Sequence, residues 1–139
     1  MRKLSARNGG AAVEFAIIVP FLFMVMFGII EFGLILYDQQ IITNASREGA
    51  RLGIVVRDTG SRVSDSEINS CVNNYCANNL ITFGAGSTPT ITITRTGTTF
   101  GNDLTVRVVY HYNFLVFPNF ISSFVGGKDL KAQTVMKME

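Results

Sequence analysis

"EFAIIVPFLFMVMFGIIEFGLILYD", residues 14–38, decides how this chain is built. No charged side chain occurs over Phe15–Ile30, and only Glu31 interrupts the apolar residues that follow. With the apolar residues just before it, this stretch is long enough for a helix that crosses a hydrocarbon core of about 30 Å. We therefore predict a membrane-spanning helix over residues 10–37.

Composition narrows the classes of function that the chain can have. Its 139 residues are enough for one modest domain. The net charge is only +2, which gives no electrostatic case for binding nucleic acid. Charged residues make up 16% of the chain, against roughly 25% in soluble domains. The single histidine, His111, and two cysteines do not suggest a zinc site, so no metal or other cofactor is expected.

The charges that flank the apolar run predict its orientation. Arg2, Lys3 and Arg7 precede the run with no acid among them, and the first charge after it is Asp38. Positive residues stay cytoplasmic, so residues beyond about 38 are expected outside the cytoplasm. A cleaved secretory signal is disfavoured, because the run is too long and no small-x-small site follows it. An uncleaved signal anchor is the stronger alternative.

The helix is predicted to continue past the membrane. Apolar residues recur at helical spacing over residues 38–57, which we interpret as an extracytoplasmic extension. Gly49 and Gly53 on this extension are expected to pack against the chain's own sheet. Glu31, near the outer end of the apolar run, is expected to reach interfacial water, with a cation of a partner as the alternative.

A second helix is predicted from a capping box, Ser64 to Glu67, and should run to about Asn79. It carries Cys71 and Cys76, which the predicted orientation places where disulfides persist. A straight helix sets these residues about 140° apart, which opposes a bridge between them. A disulfide and a pair of free thiols therefore both remain open.

Three later segments alternate apolar and polar residues, as antiparallel strands with one covered face do. They lie around Ile91–Ile93, Leu104–Tyr112 and Leu130–Met138. The predicted fold is α+β: a long N-terminal transmembrane helix, pilin-like in form, packed with a small antiparallel sheet and a second helix. Residues 58–139 form the small domain, with both helices covering the sheet.

Two connections carry no catalytic signal. "GAGSTP", residues 84–89, lacks the Gly-Lys-Ser/Thr ending of a phosphate-binding loop and predicts a turn-rich linker. Between the last two strands, Pro118 suits the start of a short helix. Its apolar face is expected to join the core, with a surface for a partner or the outer leaflet as the alternative; the face consists of Phe117, Phe120, Ile121 and Phe124.

The segment "GGAAVEFA", residues 9–16, resembles a prepilin-type processing site. In that family a peptidase cuts after a glycine on the cytoplasmic side, and a glutamate stands fifth in the processed chain. A cut between Gly9 and Gly10 makes Glu14 the fifth residue and residues 1–9 a short basic leader. Glu14 can then pair with the new amino group of a neighbouring subunit, which offsets the cost of burying either charge and sets the register.

The resemblance extends to the TadE-like family of pilin-like proteins in tight-adherence (Tad, or Flp) pilus systems. It rests on the Glu14–Phe15 pair, Pro20, the exit "GIIEFG" at residues 28–33 and the continuation "ASREGAR" at residues 45–51. It implies a minor pilin or pseudopilin, processed by a prepilin peptidase, that acts in pilus assembly.

The partners implied are other pilin-like subunits, the assembly platform, the peptidase and membrane lipid, with no nucleic acid or small-molecule substrate. The implied location is the bacterial inner membrane, with a cytoplasmic N-terminus and a periplasmic domain, either at the assembly platform or in the pilus. No nucleophile has an evident base partner, so no enzymatic activity is expected. The rival hypothesis is an uncleaved single-pass module that binds a ligand or acts as a sensor.

Overall fold

A computed structural model of the chain describes residues 7–57, 60–82, 88–114 and 127–138. Within them lie two helices, α1 (Arg7–Ile54) and α2 (Asp65–Asn79). Three strands follow, β1 (Thr90–Arg95), β2 (Asp103–Tyr112) and β3 (Lys128–Lys137). The predicted α+β fold is therefore confirmed.

The helix α1 is a single element of 48 residues, about 72 Å long, that continues through Pro20. It ends at Ile54, slightly earlier than the helical spacing predicts. At that point the Arg62 guanidinium donates from Nη1 to the carbonyl oxygen of Ile54 at 3.0 Å and from Nε to Thr98 O at 2.7 Å. A cation on the last carbonyls of a helix satisfies groups that have no partner inside it, so Arg62 caps α1.

The capping box predicted for α2 is confirmed. Ser64 is the N-cap, its side chain accepts from the Glu67 amide, and Glu67 Oε2 accepts from the Ser64 amide at 3.0 Å. The Ser64 amide, followed by the Arg57 guanidinium, lowers the pKa of Glu67 to about 2. The residues that α2 buries are Ile68, Val72 and Cys76.

The sheet has the order β1-β2-β3, and both pairs are antiparallel. In register, Ile93 lies opposite Val106, and Tyr112 opposite Lys128. Alternate residues of β2 point to the covered face, as the alternation predicts, and all of them are buried: Leu104, Val106, Val108, Tyr110 and Tyr112. The core also takes Ile42, Ala45 and Ala50 from α1, so the outer part of α1 is one wall of the domain.

Close approach between the layers depends on two glycines of α1. A Cβ on Gly49 would lie 2.4 Å from Val72 Cγ2, and one on Gly53 would lie 2.4 Å from Leu104 Cδ2. These glycines face the sheet, as predicted, since Leu104 belongs to β2. They also face α2, which approaches α1 closely at both positions.

Two predicted features lie outside the described residues: the short helix with its apolar face between β2 and β3, and most of the linker "GAGSTP".

We expect Gly49→Ala to lower the free energy of unfolding by about 1–2 kcal/mol. Overpacking costs typically about 1–3 kcal/mol, which exceeds the gain in helix propensity of up to about 1 kcal/mol. Val72 is β-branched and holds one rotamer in a helix, so α2 itself has to move. Urea unfolding of the purified chain in detergent, followed by near-ultraviolet circular dichroism, measures the change.

Gly33→Ala is the matched control, because a Cβ at Gly33 meets nothing within 4 Å. It should leave the stability unchanged or slightly higher. Equal stability of Gly49→Ala and the wild type would contradict the close packing of α1 on α2.

Candidate functional site

The N-terminal half of α1 is the most unusual surface of the molecule. From Gly9 to Ile30 no side chain is buried, although nearly all are apolar. Among them Phe15 is 69% exposed and Ile17 71%. Within the described residues, α1 is the one helix long and apolar enough to cross a membrane. An apolar surface of this size needs lipid or other protein around it.

Glu14 is the one acid on this surface. Its side chain is exposed, and it makes no hydrogen bond or ion pair within the described part of the chain. Phe15 beside it is exposed as well. Gly10 lies one helical turn before Glu14, about 6 Å along the axis. Gly9 and Gly10 are helical, exposed and open, with nothing within 4 Å of a Cβ built on either.

Glu31 lies where the exposed half of α1 meets the folded domain. The prediction that it reaches interfacial water is wrong: Glu31 is only 1% exposed. The hydroxyl of Tyr112 donates to Glu31 Oε1 at 2.6 Å. Tyr112 closes β2, and its position on the buried face of the sheet aims the phenol at α1. A buried carboxylate is tolerated because it has a hydrogen-bond donor.

Asp38 lies on the same face of α1, two turns beyond Glu31. It is fully buried, and its Oδ1 accepts from the Ile81 amide at 3.1 Å. Its Oδ2 has no hydrogen-bond partner among the described residues. Burial raises the pKa of Asp38, and the bond from Ile81 offsets part of that rise. Burial, followed by the hydrogen bond to Glu31, also raises the pKa of Tyr112.

Further polar contacts fasten α1 to β3. Gln39 Nε2 donates to the carbonyl oxygen of Lys131 at 3.0 Å, and the hydroxyls of Ser46 and Thr134 lie 2.7 Å apart. Ser46 is fully buried. With Tyr112 on Glu31, these contacts hold the domain along α1 from its middle towards its outer end.

The two cysteines are free thiols in the structure, with Cys76 buried and Cys71 half-buried. They lie on one uninterrupted helix, and neither Asn73 nor Asn74 breaks it. Burial raises the pKa of Cys76 to about 11, so this thiol stays protonated at neutral pH. A thiol in that state is a poor nucleophile.

Two other features of the molecule bring polar groups together. His111 lies on the exposed face of β2, with Nδ1 2.7 Å from Asp129 Oδ1, and both side chains are about half exposed. A cavity of about 650 Å³ lies between α2 and β1, lined mainly by amide, hydroxyl and apolar groups, with Asn69, Asn73 and Thr88 among them. Neither combines a nucleophile with a base. Within the described residues, no group of three or more His, Cys, Asp or Glu side chains could hold a metal ion.

The apolar helix α1 resembles a known protein family. Residues 9–51 match the family model described as TadE-like protein. This N-terminal segment is TadE-like. The resemblance predicted from the sequence is thereby confirmed over that range. No curated protein and no solved structure matches the chain.

The TadE-like segment coincides with a structural unit. It begins at Gly9, passes Glu14 and Glu31, and ends at Arg51, close to the end of α1. It therefore contains the exposed apolar surface and the wall that α1 gives to the core, but neither α2 nor the sheet. The TadE-like family is associated with Tad pili. One apolar N-terminal helix also fits a single-pass membrane protein.

We expect Tyr112→Phe to lower the free energy of unfolding by roughly 1–3 kcal/mol, because Glu31 stays buried and loses the hydrogen bond from the Tyr112 hydroxyl. Tyr75→Phe is the control: Tyr75 is half-buried, and its hydroxyl makes no hydrogen bond within the described part of the chain. Urea unfolding in detergent compares the two. If both variants unfolded like the wild type, the Tyr112–Glu31 bond would not stabilise the domain.

Asp38→Asn tests how the buried carboxyl group of Asp38 makes the stability of the protein depend on pH. The native pKa of Asp38 is raised above the ordinary 3.8, so the native chain holds this proton more tightly than the unfolded chain. Stability from this group is therefore fully present at low pH and falls as pH rises from about 3.8 through the raised pKa. The stability of the wild type relative to Asp38→Asn should fall over that window in urea titrations at several pH values.

The opposite slope is expected for Asp129→Asn. His111 lowers the pKa of Asp129, so the contribution of Asp129 is present above 3.8 and is lost as pH falls through the lowered pKa. A wild-type advantage over Asp38→Asn that grew with pH would contradict the burial of Asp38.

Proposed function

We propose that this chain is a minor pilin or pseudopilin that acts in the assembly of a Tad pilus. The observation that carries the proposal is the coincidence of the TadE-like match, residues 9–51, with a helix whose first half is apolar and exposed. An exposed apolar helix surface can contact lipid before assembly and the helices of neighbouring subunits after assembly. Glu14 is the one charged group on it, so it is the natural candidate for a specific contact between subunits.

Processing by a prepilin peptidase between Gly9 and Gly10 is part of this proposal. Both glycines are exposed, and neither side chain position is crowded. The basic residues before them favour a cytoplasmic location. A cut there removes residues 1–9 and leaves a new α-amino group on Gly10, whose ordinary pKa of about 7.7–8.0 makes it largely cationic at neutral pH.

Glu14 supplies the matching charge. A carboxylate at the centre of a membrane helix costs about 2.5–3.5 kcal/mol, and less near an end. A neighbouring subunit's Gly10 ammonium offsets that cost where the two meet, and any other axial offset leaves both charges unpaired. Glu14 thus sets the register between subunits, with Phe15 packing beside it. The partners are other pilin-like subunits and the assembly platform.

The proposed location is the bacterial inner membrane, with the N-terminus in the cytoplasm and the sheet domain in the periplasm. The domain supplies the surface that the assembly machinery or other subunits meet. The rival is an uncleaved single-pass binding or sensor module, which has no use for a free amino group at Gly10.

The mass of the intact protein, extracted from native membranes, tests the processing step. We expect a species that lacks residues 1–9 and begins at Gly10. A protein that keeps its initiator methionine would overturn the processing step and favour the rival.

Glu14→Ala tests the register. We expect pilus assembly to fall at least about tenfold, the change that corresponds to 1.4 kcal/mol, while mass spectrometry still finds the cut after Gly9. Glu14→Asp keeps the charge and should recover part of the assembly. Glu48→Gln is the control, since Glu48 pairs with Arg51 on the exposed surface of the same helix. Normal assembly in Glu14→Ala would contradict the pairing.

A further inference from the structure

Residues 31–38 of α1 belong to two surfaces at once. On one side Glu31 and Asp38 are buried against the domain. On the other side Phe32 is 62% exposed, Leu36 50% and Tyr37 44%. The apolar exposed surface of α1 therefore runs past the point where the domain begins to pack on the helix.

Helix geometry places this overlap relative to the bilayer. Glu31 lies 17 positions after Glu14 in the sequence, which is about 26 Å along the helix at ~1.5 Å per residue. A hydrocarbon core of about 30 Å spans about 20 residues. With Glu14 at the cytoplasmic boundary, the outer boundary falls near residue 34. A helix tilt of about 20° moves that boundary slightly further along the chain. Glu31 therefore lies below the outer boundary.

We propose that the end of the sheet at Tyr112 is seated in the outer leaflet, so that lipid contacts the folded domain as well as α1. This inference rests on α1 spanning the membrane with Glu14 at the cytoplasmic side, as in the proposed function. The occupant of the exposed face over Phe32–Tyr37 is lipid, because that face continues the apolar surface of the spanning segment without a break.

Tyr112 makes this depth tolerable for Glu31. Its hydroxyl lies 2.6 Å from the carboxylate of Glu31, so the Glu31 side chain faces the domain. The opposite side of the same helix turn, which faces lipid in this proposal, is therefore apolar. Because the phenol reaches Glu31 from the end of β2, this end of β2 must lie close to the level of Glu31.

The residues next to Tyr112 suit a headgroup layer. Lys128 is the register partner of Tyr112 and is exposed, and Asn113 follows Tyr112 and is exposed as well. A lysine at this level can extend its ammonium to lipid phosphates while its stem stays in apolar surroundings.

Single tryptophan reporters test the depth, because the chain has no tryptophan of its own. The full chain is purified and reconstituted in phosphatidylcholine vesicles whose acyl chains carry bromine either near the glycerol or near the methyl end. Four variants are compared: Met24→Trp in the middle of the apolar run, Phe32→Trp, Asn113→Trp at the base of the domain, and Val135→Trp. Val135 is 52% exposed and lies about 23 Å along β3 from Lys128.

We expect the deep bromines to quench Met24→Trp most strongly. The shallow bromines should quench Phe32→Trp and Asn113→Trp, by at least about half, with emission shifted to the blue. Val135→Trp should emit as in water without quenching.

Quenching of Met24→Trp alone would overturn the seating of the domain and leave the proposed function intact. No quenching of Met24→Trp would overturn the membrane span itself, and with it both proposals. Equal quenching of Asn113→Trp and Val135→Trp would mean that the domain lies flat on the bilayer, which also contradicts an end-on seat.

Discussion

A phenol and a carboxylate meet where α1 passes from its exposed half into the folded domain. Tyr112 and Glu31 are 81 residues apart in sequence, yet the hydrogen bond between them is 2.6 Å long and buried. Burial of a carboxylate is costly, and the hydrogen bond from Tyr112 offsets part of that cost for Glu31. The contact fixes the end of β2 against one turn of α1, so the position of the sheet along the helix follows from it.

Beyond that turn, one helix serves two environments. Its first half presents apolar side chains outward, and its second half presents Ile42, Ala45 and Ala50 inward to the core. Gly49 and Gly53 let α2 and the sheet approach α1 closely. Gln39 and Ser46 form hydrogen bonds to β3. Hydrogen bonds are directional, so they specify the position of β3 on α1 more closely than apolar contacts alone do.

Local sequence signals predicted most of the fold. The capping box at Ser64 gave the start of α2, because both reciprocal bonds involve residues three apart. Alternation gave the buried face of β2, since successive strand side chains point to opposite faces. Apolar periodicity predicts an end of α1 about three residues beyond the observed one at Ile54. The helix is capped by the side chain of Arg62, which apolar periodicity does not report.

In the candidate site, some features could be predicted from the sequence and others depend on tertiary contacts. The apolar run, Glu14 and the family resemblance could be read from residues close together in sequence, and the match over residues 9–51 agrees with the resemblance. The burial of Glu31 could not, because it depends on a contact with the far end of β2. The fully buried state of Asp38 also depends on tertiary packing, through Ile81. The partner proposed for Glu14 belongs to another molecule, so no contact within this chain identifies it.

The wall that α1 gives to the core also constrains the order in which the protein can mature. Residues 41–54 complete the packing under β2 and β3. In the proposed topology, the sheet therefore cannot close its inner face until that part of the helix has crossed the bilayer. The same topology couples export of the polypeptide to acquisition of its native state, because the strands follow α1 in the chain and would close onto a helix that is already anchored.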